Sequence, residues 1–432
     1  MTPDDLRARL ARLGYQLNKG SALGDVDGQA PSLRLRPSHG WRGDYPIERV
    51  VDGRYVPTPY GPCFVAERVH PMGHLHGAHR LEEALEAEPE VLDWLGGSLH
   101  GAGLDLSRFA FLDTETTGLA GGTGTYAFLI GLGFFDRGRF VVRQIFMGDY
   151  DAEEAVLHTL AEALKPLRGV VTFNGKVFDL PLLEARYQIH RQPFPVRDLP
   201  HLDLLFPARR LWRGRLESCA LSCLETEILG VDRERDVPGW LIPSLYFGYL
   251  RSGDARPLAD VFEHNRQDIL SLATLSARLA RQYADPFHPS VEDPRDLLSL
   301  GSVFERLGMP ERAVPCYERA AELARHETLR GSAMLRLASL YKRLRMRDDA
   351  IDVWGRLSTA GQGFSLVACL EMAKHYEHVA RDYRQAERLT LQALSVLELR
   401  AARLEPWRVE RERRELERRL VRLRRKLNRS PR

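Results

Sequence analysis

Hydrophobic residues change their period along this chain, and the changes mark its elements. Phe-Ala-Phe-Leu-Asp (109–113) is a short apolar run that ends on an acid, the pattern of a buried strand. TYAFLIGLGFF (125–135) and RFVVRQIFMGD (139–149) predict two more strands, joined by the turn Asp136-Arg137-Gly138. EEAVLHTLAEALKPL (153–167) has helical spacing, and GVVTFNG (169–175) predicts a fourth strand ending in a turn. DLPLLEARYQI (179–189) starts a helix that tolerates Pro181 in its first turn, and 259–283 reads as one long helix. Adjacent strands followed by alternating strand and helix predict an α/β domain at 106–284, a mixed sheet with flanking helices.

Before it, 1–105 reads as a Gly- and Pro-rich N-terminal extension. Short helix patterns stand at DDLRARLARL (4–13) and LEEALEAEPEVLDWL (81–95), and a strand-like alternation at GPCFVAERVH (61–70). The stretch 20–50 reads as irregular. After a break at Asp285-Pro-Phe-His-Pro289, the chain is helical and repeats itself. LGMPERAVPCY, LRMRDDAIDVW and VARDYRQAERL align on Ala313, Ala350 and Ala386, spaced 37 and 36 residues apart. Tyr317, Trp354 and Thr390 follow four residues later. This pattern resembles the tetratricopeptide (TPR) class of helical hairpins, whose stacking buries faces that one hairpin leaves open. It places an all-α repeat domain at 290–398, a packing scaffold or a groove for a protein partner. From 399 to 432 a basic helix carries Leu416, Leu420, Leu423 and Leu427 at the spacing of a docking face.

Composition narrows the class. The 432 residues are 44% hydrophobic and 28% charged, within the soluble globular range. No apolar run reaches the roughly 18 residues that a membrane helix needs, and the N-terminus lacks a secretory pattern, so a cytoplasmic protein is expected. Five scattered cysteines predict no disulfide framework, and Cys219 and Cys223 read as core residues. Residues 400–432 hold 14 Arg or Lys against 5 Glu, so the tail carries +9 in a chain of net +3. Such a tail suits a polyanion or acidic partner, or else a solvated, salt-bridged helix.

Three segments carry chemistry. Asp113 and Glu115 lie two apart on a strand and project to the same side, where their repulsion favours a bound cation. Asn174-Gly175 ends a strand, and Asp179 opens the next helix, where a carboxylate also serves as an N-cap. His264 and Asp268 share one helix face. Gly121-Gly122-Thr123-Gly124 lacks the lysine of a P-loop, DTET is not a phosphatase motif, and no GxSxG elbow occurs. His70, His74, His76 and His79, with Cys63, match no standard zinc spacing.

Together the three segments resemble the DEDD superfamily of exonucleases, with DxE on the first strand, an Asn-x4-Asp segment before a central helix, and a last Asp preceded by Tyr or His. The resemblance covers 106–284. HLDLLFPARRLW (201–212), DVPGWLIPSLYFGYL (236–250) and the HN..D form of the last motif are similar to the YprB-like ribonuclease-H-like family. The resemblance implies a ribonuclease-H-like fold and a metal-dependent 3′–5′ exonuclease acting on DNA or RNA. Asp113, Glu115, Asp179 and Asp268 would be ligands of two Mg²⁺ or Mn²⁺ ions. His264 would be the general base or a water-orienting group, although its interval to Asp268 is the one the Tyr branch uses. Thr116, Thr117 and Gly118 would set a turn whose amides meet the terminal nucleotide. Asn174 and Lys176 would contact substrate, and Asp203 would support the site or the fold. A non-catalytic nucleic-acid-binding scaffold and a structure-specific endonuclease are the alternatives.

Overall fold

The computed structural model describes residues 45–97, 104–118, 124–233, 236–289, 291, 293–359, 364–403 and 405–429. The helix expected at 4–13, most of the stretch 20–50, and Gly121, Gly122 and Thr123 lie outside the described residues.

A short helix α1 (Ile47–Val50) leads into β1 (Gly53–Thr58) and β2 (Gly61–Pro71). β3 (Leu75–His76) and β4 (His79–Arg80) form a separate hairpin. The pattern at 81–95 splits into a 3₁₀ turn (Leu81–Glu86) and α2 (Pro89–Gly96). Proline has no amide to donate, so Pro89 suits the start of a new helix better than the middle of one.

The α/β core follows as β5 (Phe109–Thr116), β6 (Ala127–Asp136), β7 (Arg139–Phe146), α3 (Glu153–Leu164), β8 (Gly169–Thr172), α4 (Asp179–Ile189), β9 (His201–Asp203) and α5 (Leu205–Trp212). Next come α6 (Leu221–Leu224), a segment of wider helical turns (Glu225–Leu229), α7 (Ile242–Ser252) and α8 (Leu258–Ala284). The strands form one seven-stranded sheet in the order β1-β2-β7-β6-β5-β8-β9. β5 pairs antiparallel with β6 and parallel with β8, and β8 pairs parallel with β9. The segment before residue 106 thus supplies two strands to this sheet.

β5 is central, so Phe109 to Leu112 are all buried, and alternate residues serve opposite cores. Phe109 and Phe111 belong to the core that contains Ile269, Leu272 and Ala273 of α8. Ala110 and Leu112 belong to the core that contains Leu157 and Leu160 of α3 and Leu183 and Tyr187 of α4. The same alternation fixes the sides of Asp113, Thr114 and Glu115. β5 pairs with β8 only as far as Phe111, so their carboxyl ends diverge into a crevice, the place where open α/β sheets bind ligands.

The first core runs on into the helical repeats. α9 (Pro294–Arg306) and α10 (Pro310–Leu323) form one hairpin, α11 (Glu327–Arg343) and α12 (Arg347–Thr359) a second, and α13 (Ser365–His378) and α14 (Tyr383–Arg400) a third. The anchors Ala313, Ala350 and Ala386 are all buried, as are Tyr317, Trp354 and Thr390. Trp94 of α2 meets Phe304 of α9 edge-on at 6.1 Å. Arg312 of α10 lies 4.6 Å from the Trp94 ring centre and donates to the Tyr283 carbonyl at 3.1 Å.

α15 (Pro406–Arg429) packs against α14, burying Leu416, Leu420 and Leu423. Much of its charge is matched inside the chain. Arg413 pairs with Glu398, Arg414 with Glu410 and Arg424 with Glu387, while Arg419, Arg422 and Lys426 converge on Glu377. For these side chains the structure takes the salt-bridged reading. Cys219, just before the short α6, and Cys223, inside it, were expected in the core but are only half-buried, because of the four residues of α6 only Leu224 turns fully inward. Among the described residues no helix is long and apolar enough to cross a membrane.

Candidate metal centre

The sheet prepares a slot beneath Asp113. Across the strands, Asp113 is opposite Gly131, and Gly131 is opposite Gln144. A Cβ on Gly131 would stand 2.3 Å from Asn265 Oδ1, so only glycine lets that fully buried side chain reach the sheet. Asn265 Nδ2 donates to Asp113 Oδ2 at 3.0 Å, and Gln144 Nε2 donates to Asn265 Oδ1 at 2.9 Å. Asp113 is thereby oriented by α8 through a residue next to His264.

Asp179 arrives from the other layer. It opens α4 and accepts the Thr114 hydroxyl hydrogen bond at 2.5 Å. The turn before it is fixed by Asp203. The Asn174 amide donates to Asp203 Oδ1 at 2.7 Å and the Lys176 amide to Oδ2 at 3.0 Å. Asn174 has φ +65°, a left-handed conformation that asparagine tolerates better than most residues. The Lys176 ammonium lies 5.5 Å from the Phe206 ring centre.

α8 brings His264 and Asp268 to the remaining side. Donor atoms of Glu115, His264 and Asp268 all fall within 4.8 Å of one another. His264 Nε2 is 3.8 Å from Glu115 Oε1 and 3.5 Å from Asp268 Oδ2, and its Nδ1 is 2.5 Å from Asp236 Oδ1. Side-chain exposures of 12% for Glu115 and 15% for both His264 and Asp268 keep the cluster open to solvent. Arg233 donates to Asp268 and to Glu225, and its other nitrogen lies 3.5 Å from Asp236.

Crowding sets the electrostatics. Burial, then the charges of Asp268, Asp179 and Glu115, hold Asp113 well above the ordinary carboxylate range. Burial pushes Glu115 up to about 8, against the pull of His264. Burial likewise pushes Asp179 up to about 6, although the Thr114 hydrogen bond opposes it. Burial alone would lower His264, but Asp236, Asp268 and Glu115 outweigh it and hold the imidazolium up to about 9. Arg233 and His264 face six carboxylates, counting Asp236 and Glu225. Acids raised this far signal missing positive charge, and a donor set dominated by carboxylate oxygen suits hard divalent cations.

The comparisons with known proteins follow the same division. A family model described as the RNase_H superfamily matches residues 110–280, and a tetratricopeptide repeat model matches 297–331. An uncharacterized protein, YprB of Bacillus subtilis (strain 168), is 31% identical over 339 residues, which cover 77% of this chain and 80% of YprB. The chain belongs to the YprB-like ribonuclease-H-like family. Its superfamily consists mainly of nucleases and typically uses divalent metals.

In this YprB-like chain the expected residues divide into three groups. Glu115, His264 and Asp268 converge, and Asp113 and Asp179 stand within electrostatic reach of them. Thr116 ends β5, and Thr117 and Gly118 lead the chain out of it. The Thr116 hydroxyl donates to the Gly118 carbonyl at 2.8 Å, and Thr117 Oγ1 accepts from the Tyr126 amide at 2.9 Å. Asn174, Lys176 and Asp203 build the turn in front of Asp179. Of the four upstream histidines, His70 and His74 pack ring to ring at 4.4 Å, while His76 bonds Ser271 and His79 bonds Glu83; among the described residues they form no metal-binding group with Cys63. Sequence reasoning gave no role to Thr114, Arg233 and Glu225, nor to Asp236 and Asn265, although these two stand in the motifs DVPGWLIPSLYFGYL and HN..D. The charged run Asp232–Asp236 before Pro238-Gly239 was the available signal for two of them.

Proposed function

We propose that this YprB-like protein is a metal-dependent nuclease that hydrolyses phosphodiester bonds of DNA or RNA from a 3′ end. The observation that carries the reading is the convergence of Glu115, His264 and Asp268 donor atoms within 4.8 Å, with the charges of Asp179 and Asp268 acting on Asp113 and Glu115. Asp113, Glu115, Asp179 and Asp268 would hold two Mg²⁺ or Mn²⁺ ions. When bound, such ions lower the pKa of water and offset charge on the leaving oxygen.

The chain's own groups do the rest. Asn265 keeps one Asp113 oxygen turned toward the helix side, and Thr114 holds Asp179 at the end of the sheet. Asp236 fixes the His264 ring through Nδ1, which leaves Nε2 facing Glu115 and Asp268. A ring held at about 9 is protonated at neutral pH, so His264 begins as a hydrogen-bond donor. It becomes a base only when its neighbouring carboxylates give their charge to cations. The Thr117 amide donates to the Tyr126 carbonyl at 2.9 Å, so it is not free for a terminal nucleotide, contrary to the expectation from sequence.

The test is degradation of end-labelled single- and double-stranded DNA and RNA in Mn²⁺, with Asp113→Asn as control. Loss of terminal nucleotides by the wild type, abolished in the variant, is the expected result. Internal cuts on a circular substrate would replace the exonuclease reading with an endonuclease. Binding without cleavage of any of them would replace it with a nucleic-acid-binding scaffold.

A further inference from the structure

One histidine of the upstream group is joined to the candidate centre by an unbroken line of hydrogen bonds, buried at the histidine end and part-buried at the centre. Arg233 donates to Asp268 Oδ1, while Asp268 Oδ2 faces His264 Nε2 at 3.5 Å. The same Arg233 nitrogen donates to Glu225 Oε1 at 2.5 Å. The Ser271 hydroxyl donates to that Glu225 oxygen, and His76 Nε2 lies 2.7 Å from the Ser271 oxygen. A hydroxyl has one proton to give, and Ser271 gives it to Glu225. His76 must therefore donate from Nε2, which fixes its tautomer.

Four parts of the chain meet here. His76 is in the β3–β4 hairpin, Ser271 is one turn beyond Asp268 on α8, Glu225 opens the segment 225–229, and Arg233 lies in the loop after it. His76, Ser271 and Glu225 are 5%, 0% and 1% exposed, so water offers them no substitute partner. The hairpin is docked on the same segment. The Ala78 amide donates to the Leu229 carbonyl at 2.8 Å, and Gly77, at φ +62°, comes so close that a Cβ would stand 2.2 Å from that oxygen. A buried ion pair such as Arg233–Glu225 adds little net stability over apolar packing, whereas hydrogen bonds behind a ligand orient it and tune its affinity.

We infer that His76, Ser271, Glu225 and Arg233 form a positioning relay that engages one oxygen of Asp268 and presents the other to a divalent cation. The N-terminal hairpin thus sets the metal affinity of the centre. The inference rests on the reading of Asp268 as a metal ligand. Each member acts through the next and none touches the reacting atoms.

The experiment is Mn²⁺ binding to the full chain, followed by electron paramagnetic resonance, with urea denaturation of each variant as a measure of folding. Ser271→Ala and Glu225→Leu are each expected to weaken Mn²⁺ binding about 10- to 100-fold. The double variant should lose little more than either alone, because both cut the same line. His76→Leu should weaken binding about tenfold, while His76→Gln, which keeps an N–H at the place of Nε2, restores it. Wild-type Mn²⁺ binding with unchanged affinity in the folded variants overturns the relay and leaves the metal reading standing. Loss that only follows the unfolded fraction, or equal behaviour of His76→Leu and His76→Gln, also overturns it. Failure of the wild type to bind Mn²⁺ overturns the metal reading and the relay together.

Discussion

Asp113 and Glu115 lie mostly out of water at the end of their strand, and each has like charges for neighbours. The protonated forms are therefore favoured in the folded, metal-free protein, with Glu115 at about 8 and Asp179 at about 6. A carboxyl raised above its unfolded value binds more protons in the native state, so stability falls as pH rises through that interval. His264, raised to about 9, adds stability below about 6.5 that is likewise lost toward 9. Both signs agree. Protein in EDTA should lose thermal stability from about pH 5 to 9. Divalent metal should restore it, so the gap in Tm between Mn²⁺-loaded and EDTA-treated protein should widen over this range. A gap that is constant or narrows with pH would contradict the assignment of these acids. The acids themselves were legible in the sequence, because spacing alone puts Asp113 beside Glu115 and His264 beside Asp268. Arg233 and Glu225 were not, because each acts across a long loop of chain and matches no local pattern; Asn265 stood in the HN..D motif, but its contact with Asp113 was not legible there.

The repeat period is as visible in the backbone as in the side chains. Gly308, Arg345 and Arg381 have φ values of +74°, +63° and +55°, and they recur with the same spacing as Ala313, Ala350 and Ala386. Each is the left-handed residue that turns one helix of a hairpin into the next. Glycine takes this conformation freely, but a side chain costs about 1 kcal/mol or more there. Arg345 and Arg381 are exposed. Arg345→Gly and Arg381→Gly should each stabilise the protein by about 1 kcal/mol, read as a higher urea midpoint. The anchoring alanines made the hairpins legible from sequence, since a small residue at a close helix contact leaves a strict period. The split at Pro89 and the half-exposed Cys219 and Cys223 depended on what packs against those segments.

At the scale of the molecule, one apolar core spans the α8 face of the sheet and the repeats, and α15 closes the far end. Its latch is Glu377, 2% exposed, which accepts from Arg419 at 2.6 Å, Arg422 at 2.7 Å and Lys426 at 2.9 Å. Burial alone would raise this acid, but Arg422, Lys426 and Arg419 outweigh it and hold it down to about 2. Glu377→Ala should destabilise the docking of α15 by about 3 kcal/mol, the low end for breaking a buried pair, since Arg422 and Lys426 reach water. Faster hydrogen exchange confined to 406–429 would report it. In the wild type this contribution is complete above about pH 4.5 and is lost as pH falls toward 2. Unchanged exchange in the variant would show that the leucine face alone holds the helix.

By itself the sequence determined the layered α/β domain, the helical hairpins after it and the acids of the candidate centre. These are written as short-range periods of apolar and polar residues, and short-range order survives without knowledge of the fold. Only the tertiary structure decided that 53–71 complete the sheet, that Gly131 makes room for Asn265, and that His76 connects to Asp268. It also turned the basic tail inward onto Glu377. Each of these depends on which surfaces meet in space, and contact between distant segments leaves no period along the chain.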